Sequence, residues 1–265
     1  MNKIYTEFYP NKLFTLAEAN KIIKDYQVCR NNINRLVKQR MITRIKAGIY
    51  YINPLDNKEF YPDTIHIASK LRPDAVITAN SALKALNMPS LTDTTIYLNA
   101  KHPAKMRIGR YTYRITRGQN FGVEKTKYRT GYGEFEIKTT DLERTIIECL
   151  KTRGLRGEEL INILKSKPFE INMRRMTNYL EKYNMPILYN KTGLVLEACK
   201  SQLKVEDSEL DKLKKKLTKK TYYFKERGIR LTRPRYNYYK EWNIMIPEIL
   251  YEMMIAGRPA QAKTI

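Results

Sequence analysis

Two groups of residues have the types and spacing to do chemistry. The first lies in "VCRNNINRLVKQRMITRIKAGIYYI", residues 28–52. It holds Arg30, Arg35, Lys38, Arg40, Arg44 and Lys46, and no Asp or Glu. Arginine can grip guanine through two hydrogen bonds and asparagine can do the same for adenine. Asn31 and Asn34 stand among these cations. A one-sign stretch of this kind suits a polyanion, because an acid there would repel its phosphates. The second group is "EFEIK". Glu136 and Lys138 have the E-x-K spacing of a metal-dependent nuclease strand, and Asp74 in "RPDAV" would be the earlier acid. In such a site the carboxylate holds a divalent ion and the lysine steadies the attacking water. The same spacing arises on any amphipathic strand whose charges face solvent. Glu136 and Lys138 are therefore expected to be ordinary strand residues.

Other enzyme signatures are missing. The chain contains no GxSxG, HExxH or Walker-type phosphate loop. His66 and His102 do not stand at metal-ligand spacing with Cys, Asp or Glu. His66 reads as structural. No catalytic, cofactor-binding or metal-binding residues are predicted, and the chain is expected not to be an enzyme.

The elements that would position the basic group can be read around it. In "FTLAEANKIIKDY" Thr15 precedes Glu18 by three residues, which is a capping box. Leu16, Ala19, Ile22 and Ile23 then share a helical face. A break is expected near residues 25–27 and a second helix near Cys29. Val28, Ile33, Leu36 and Val37 would form its inner face, leaving Arg30, Asn31, Asn34, Arg35 and Lys38 outward. "MITRIKAGIYYIN" alternates and turns at "KAG", which predicts a β-hairpin with Gly48 in the turn. Helix, turn, helix, hairpin is the winged-helix order, with Arg44 and Lys46 on the wing against phosphate or the minor groove.

The bulk composition agrees with a polyanion partner. In 265 residues the formal net charge is +23 and the hydrophobic fraction 42%. That supports one large core or two modest ones and attracts nucleic acid before an anionic membrane. Cys29, Cys149 and Cys199 form no CxxC pair, which suits a reducing compartment. "MNKIYTEFYPNK" lacks the apolar core of a signal peptide, and no apolar run reaches about 18 residues. The expectation is a cytoplasmic protein without a membrane partner.

Beyond the hairpin, a helix is expected from Asp63, a strand at 75–78, a helix near 80–87 and a strand at 94–99. "RYTYRITR" and "GEFEIKTT" alternate as strands. Thr140 and Glu143 predict a second capping box, with Leu142, Ile146, Ile147 and Leu150 as the buried face. For Arg144, inside it, a structural ion pair is as good an explanation as an activity. Helices follow in "GEELINILKSK", "INMRRMTNYLEKY", 193–203 and 206–219. Between Lys212 and Arg235 stand eleven Lys or Arg and one acid, Glu226, either a solvated face or a second polyanion contact. "EWNIMIP" offers a strand with the only Trp, "EILYEMMIA" a last helix, and 257–265 a frayed tail.

In this order the pieces resemble a known family. "FTLAEANKIIKDYQVCRNNINRLVKQRMITRIKAGIYYINP" resembles the N-terminal winged helix of AbiEi-type antitoxins, the transcriptional regulators of abortive-infection, type IV toxin–antitoxin operons. "VITANSALKALNMPSLTDTTIYLNA" looks like the start of their second domain, "KTTDLERTIIECL" like its Glu-Arg-Thr helix, and "EWNIMIP" like its Trp-containing strand. Glu148 stands where the family more often has Asp, and Cys29 stands where a Ser or Thr cap is usual. The resemblance implies an α+β protein. Residues 1–55 would be a winged helix-turn-helix domain, 56–256 a mixed α/β domain with a helical C-terminal part, and 257–265 a tail. It implies a repressor that binds double-stranded DNA at its own promoter. It also implies an antitoxin that counters a nucleotidyltransferase-like toxin, with no stable complex assumed. Two other classes remain open. One is a nuclease targeted by a winged helix. The other is a basic RNA-binding protein, with Tyr222, Tyr223, Tyr236, Tyr238 and Tyr239 as stacking surfaces.

Overall fold

The computed structural model describes residues 2–57, 59–89, 94–152, 154–166, 168–225 and 235–256. The chain is mixed α and β, with helices and, among the described residues, three sheets. It divides into two units, one of residues 1–87 and 91–140, the other of 88–90 and 141–265. Residues 1–55 fall within the first.

The first unit opens with α1 (Lys3–Phe8), capped by the Asn2 side chain, which accepts from the Ile4 amide. It buries Ile4, Tyr5 and Phe8. Strand β1 (Leu13–Thr15) follows. The predicted capping box is present at the head of α2 (Leu16–Ile23). Thr15 Oγ1 accepts from the Glu18 amide at 3.1 Å, and Glu18 Oε2 accepts from the Thr15 amide at 2.8 Å. Helix α2 stops where Lys24 takes a left-handed conformation, φ 63°. Helix α3 (Tyr26–Lys38) begins one residue after its cap, Asp25, whose carboxylate accepts from the Val28 amide at 2.8 Å. Strands β2 (Ile42–Lys46) and β3 (Ile49–Ile52) make the predicted hairpin. Gly48 turns it at φ +78°, a backbone region that a Cβ disfavours. The three strands form a sheet in the order β1-β3-β2. Ile4, Tyr5, Phe14, Cys29, Ile33, Leu36, Ile42 and Ile52 share one core with neighbouring side chains.

The rest of this unit is α4 (Thr64–Lys70), β4 (Val76–Ile77), α5 (Ala79–Ala85), β5 (Thr95–Ala100), β6 (Ala104–Ile108), β7 (Tyr111–Arg117), β8 (Val123–Thr130) and β9 (Gly133–Thr140). Its mixed six-stranded sheet runs β6-β7-β5-β4-β9-β8, with β5–β7 and β4–β9 parallel. Asp63 caps α4 as expected, accepting from the Ile65 amide at 2.7 Å. A second core, including Ile65, Ile77, Leu98, Tyr113 and Ile137, lies between the sheet and its helices and takes in Leu13 and Ile49.

The second unit is mostly helical: α6 (Leu142–Thr152), α7 (Gly157–Lys165), α8 (Met173–Tyr183), α9 (Pro186–Ala198), α10 (Lys200–Leu203) and α11 (Asp207–Lys214). A small sheet of β10 (Tyr222–Tyr223), β11 (Tyr236–Tyr239) and β12 (Ile244–Pro247), ordered β10-β12-β11, precedes α12 (Glu248–Ala256). Trp242 lies on a 3-10 turn, Lys240–Trp242, before β12 rather than in the strand. Its ring packs on α9 at Gly193. A Cβ on that glycine would fall 2.0 Å from the indole, while Glu197, one turn on, accepts from Trp242 Nε1 at 2.7 Å. The cap of the next helix falls one residue later than predicted. The helix begins at Leu142, so Asp141 occupies the cap and accepts from the Arg144 amide at 2.9 Å. Glu143 Oε1 instead accepts from the Asn172 amide. The tail 257–265 and the stretch 226–234 of the Lys-rich segment lie outside the described residues.

Candidate nucleic-acid interface

Helix α3 has no Asp or Glu between Tyr26 and Lys38. Cys29, Ile33 and Leu36, spaced i, i+4, i+7, are its buried stripe. At about 100° per residue, Asn31, Asn34 and Lys38 lie roughly opposite that stripe, with Arg30 and Arg35 flanking them. All five are exposed, as predicted. Their placement follows from packing: each apolar residue that enters the core turns the next polar residues out.

Two expectations about this helix need correction. Asp25, not Cys29, starts it, and Cys29 is a fully buried core residue whose thiol pKa burial raises. Val28 is not on the inner face. It is 48% exposed, because the earlier start puts it most of a quarter-turn beyond the core stripe, while Val37 is half-buried. The corrected start adds Tyr26, Gln27 and Val28 to the exposed surface. Gln27 Nε2 donates to Asn31 Oδ1 at 3.4 Å, and Arg35 donates to Asn32 Oδ1 at the same distance. An exposed valine beside such amides can meet a thymine methyl. The signal for this in the sequence was Asp25 itself, an N-cap residue three positions before Val28.

The two predicted wing residues differ. Arg44 is exposed on β2, opposite Tyr50 of β3. A register shift separates it from Lys46, whose side chain is half-buried with Nζ 3.7 Å from Met106 Sδ. Thus α3 gathers five predicted residues on one face, Arg44 stands on the hairpin strand, and Lys46 turns toward β6. Behind the hairpin, Glu18 caps α2 and also accepts from Lys70. Burial raises the Glu18 pKa, but the Lys70 and Thr15 bonds outweigh it and leave it below the usual carboxylate value.

The nuclease spacing takes a solvent-facing form. Glu136 is 64% exposed on β9 and pairs with Lys125 at 2.8 Å, and Lys138 donates to the Pro73 carbonyl. Asp74 accepts from the Lys101 amide. Among the described residues no group of three or more His, Cys, Asp or Glu side chains could hold a metal ion. His66 is buried, stacked on Phe135 at 3.8 Å, with Nδ1 3.0 Å from the Tyr132 hydroxyl.

In the second unit Arg144 is fully buried. Its Nε donates to Glu148 at 2.9 Å, and Glu148 also accepts from the Tyr183 hydroxyl at 2.5 Å. Burial raises the Tyr183 pKa. Asp141 accepts from the Tyr179 hydroxyl at 2.7 Å, and Arg175 spans Asp141 and Glu143. These bonds tie α6 to α8. Of the tyrosines weighed as stacking surfaces, Tyr239 is buried on Glu197, while Tyr223 and Tyr238 are about half exposed. No family model and no curated protein matches this chain. Among the described residues no helix is long and apolar enough to cross a membrane.

Proposed function

We propose that the helix–helix–hairpin at the N-terminus is a winged helix that binds double-stranded DNA. In this reading α3 enters the major groove, where Arg30, Asn31, Asn34 and Arg35 meet base edges and Lys38 and Arg44 meet phosphate. One observation carries it: five cationic or amide side chains share the exposed face of an acid-free helix that is anchored through Cys29, Ile33 and Leu36. Major-groove reading requires donors and acceptors on a rigid element, and a buried stripe directly behind them supplies the rigidity. The resemblance to AbiEi-type antitoxins supports the rest of the proposal. The protein represses its own promoter, and in its operon it counters a nucleotidyltransferase-like toxin, with no direct complex assumed. Its role needs no catalytic residue and no cofactor.

Gel-shift titration on the DNA upstream of its own gene tests this reading. The protein binds that duplex more tightly than random sequence. If six to ten phosphates are neutralised, affinity falls roughly 10³–10⁵-fold between 50 and 200 mM salt. Equal affinity for both duplexes, or a flat salt response, contradicts it.

A further inference from the structure

A cleft of about 740 Å³ opens within the first unit, among the head of α2, the hairpin turn and the end of α4. Its walls carry Lys21, Lys46, Lys70 and Arg72 against the single carboxylate of Glu18, which is engaged by Lys70 and by the capping box. Two further polar atoms among its lining residues are unsatisfied. Arg72 Nε is buried with no hydrogen-bond partner, and so is Asn20 Oδ1. Buried donors and acceptors are paired in the great majority of cases, so an orphaned donor and an orphaned acceptor beside one cationic cleft call for a reason. Tyr26, 54% exposed, stands at the same cleft.

We propose that this cleft binds a phosphate-bearing small molecule of nucleotide size. Lys21 and Arg72 take the phosphates, Lys46 joins them by turning from Met106, and Tyr26 takes a flat ring. The volume lies in the range of small-ligand pockets. Three cationic side chains beyond the neutralised Glu18–Lys70 pair match a phosphate or diphosphate charge. Arg72 Nε and Asn20 Oδ1 are buried atoms, which suits a free ligand able to enter the cleft better than a duplex backbone riding on its rim. The cleft takes only Tyr26 from α3 and none of Arg30, Asn31, Asn34, Arg35 and Lys38, so the proposal goes beyond DNA binding and does not depend on it.

Calorimetric titration of the full chain with ADP and with inorganic phosphate in 50 mM salt tests the proposal. ADP binds one to one. Arg72→Ala and Lys21→Ala each weaken it roughly tenfold, the loss of one charge-assisted contact. Tyr26→Ala weakens ADP and leaves phosphate unchanged. Glu18→Gln keeps the capping box and removes the one acid, so it tightens both ligands several-fold. Lys105→Ala, an exposed lysine on β6, changes neither. Thermal unfolding verifies each variant. If Arg72→Ala does not fold, the exposed Lys21 and the opposite-sign Glu18 variant carry the test. Three results overturn the proposal: no saturable ADP binding, a loss with Lys105→Ala equal to that with Lys21→Ala, or a loss of duplex affinity in Lys21→Ala and Arg72→Ala as large as the loss of ADP affinity. The last would assign the cleft to the DNA backbone.

Discussion

Mild acid should destabilise the first unit through His66. The ring is 1% exposed, stacked on Phe135, and bonded through Nδ1 to the Tyr132 hydroxyl. Burial, reinforced by the nearby Lys70 charge and opposed by Asp63 and Glu18, pushes its pKa down from 6.5 to about 3. In the unfolded chain the imidazole takes up a proton below about 6.5. The folded unit refuses it until near pH 3, so the unfolded state binds more protons across that interval. Stability is then full above pH 6.5 and falls as the pH drops through the interval, with a slope approaching about 1.4 kcal/mol per pH unit. Between pH 6.5 and 5, where most carboxylates stay ionised, the loss comes to about 2 kcal/mol. Urea unfolding would be read by hydrogen exchange in β5 and β7, pulse-labelled at one fixed pH, so that only the first unit is observed. His66→Phe removes the titration. It costs stability at every pH through the lost Tyr132 bond, but its stability should be level over the same interval. A wild-type loss below about 0.5 kcal/mol, or a His66→Phe slope equal to the wild type's, would refute the reasoning.

Two further outcomes follow from the packing and the surface. Gly193→Ala places a Cβ 2.0 Å from the Trp242 ring; over-packing of this kind costs about 1–3 kcal/mol or more, and tryptophan fluorescence should report an earlier urea midpoint for the second unit, whereas an unchanged midpoint would show that the indole can move aside. Plasmid DNA incubated with Mg²⁺ or Mn²⁺ should stay intact, because Glu136 is a solvent-facing partner of Lys125; cleavage that Glu136→Ala abolishes would restore the nuclease reading.

Local chemistry made much of the first unit legible. Thr15 and Glu18 announce α2 because a hydroxyl and a carboxylate three residues apart can satisfy two helix-end amides at once. Gly48 announces the hairpin because its turn needs φ > 0. The outward face of α3 follows from the spacing of Cys29, Ile33 and Leu36. Helix α1 is hard to read because six residues give too short a window for periodicity, although Asn2 and the Ile4–Phe8 spacing are its signals. The caps at Asp25 and Asp141 are harder to place: α3 starts three residues before Cys29 and the α6 cap falls one residue after Thr140, and each residue of offset turns a side chain by about 100°. These offsets put Val28 outside the core stripe and Glu143 outside the cap. The cleft behind the hairpin could not be read at all, since it joins residues 15–26, 46–49 and 69–73, which only the tertiary fold brings together.

The central claim is that α3 reads DNA, and Arg35→Ala tests it most directly, with Lys38→Ala beside it, on operator and scrambled duplexes. Neither side chain belongs to the Cys29–Ile33–Leu36 stripe, so both variants should fold as the wild type does. Loss of a base contact at Arg35 costs about 1–3 kcal/mol on the operator and little on scrambled DNA, so the ratio of the two affinities falls. Loss of a phosphate contact at Lys38 lowers both affinities together and leaves the ratio unchanged. If Arg35→Ala binds both probes like the wild type, α3 is not the helix that reads DNA.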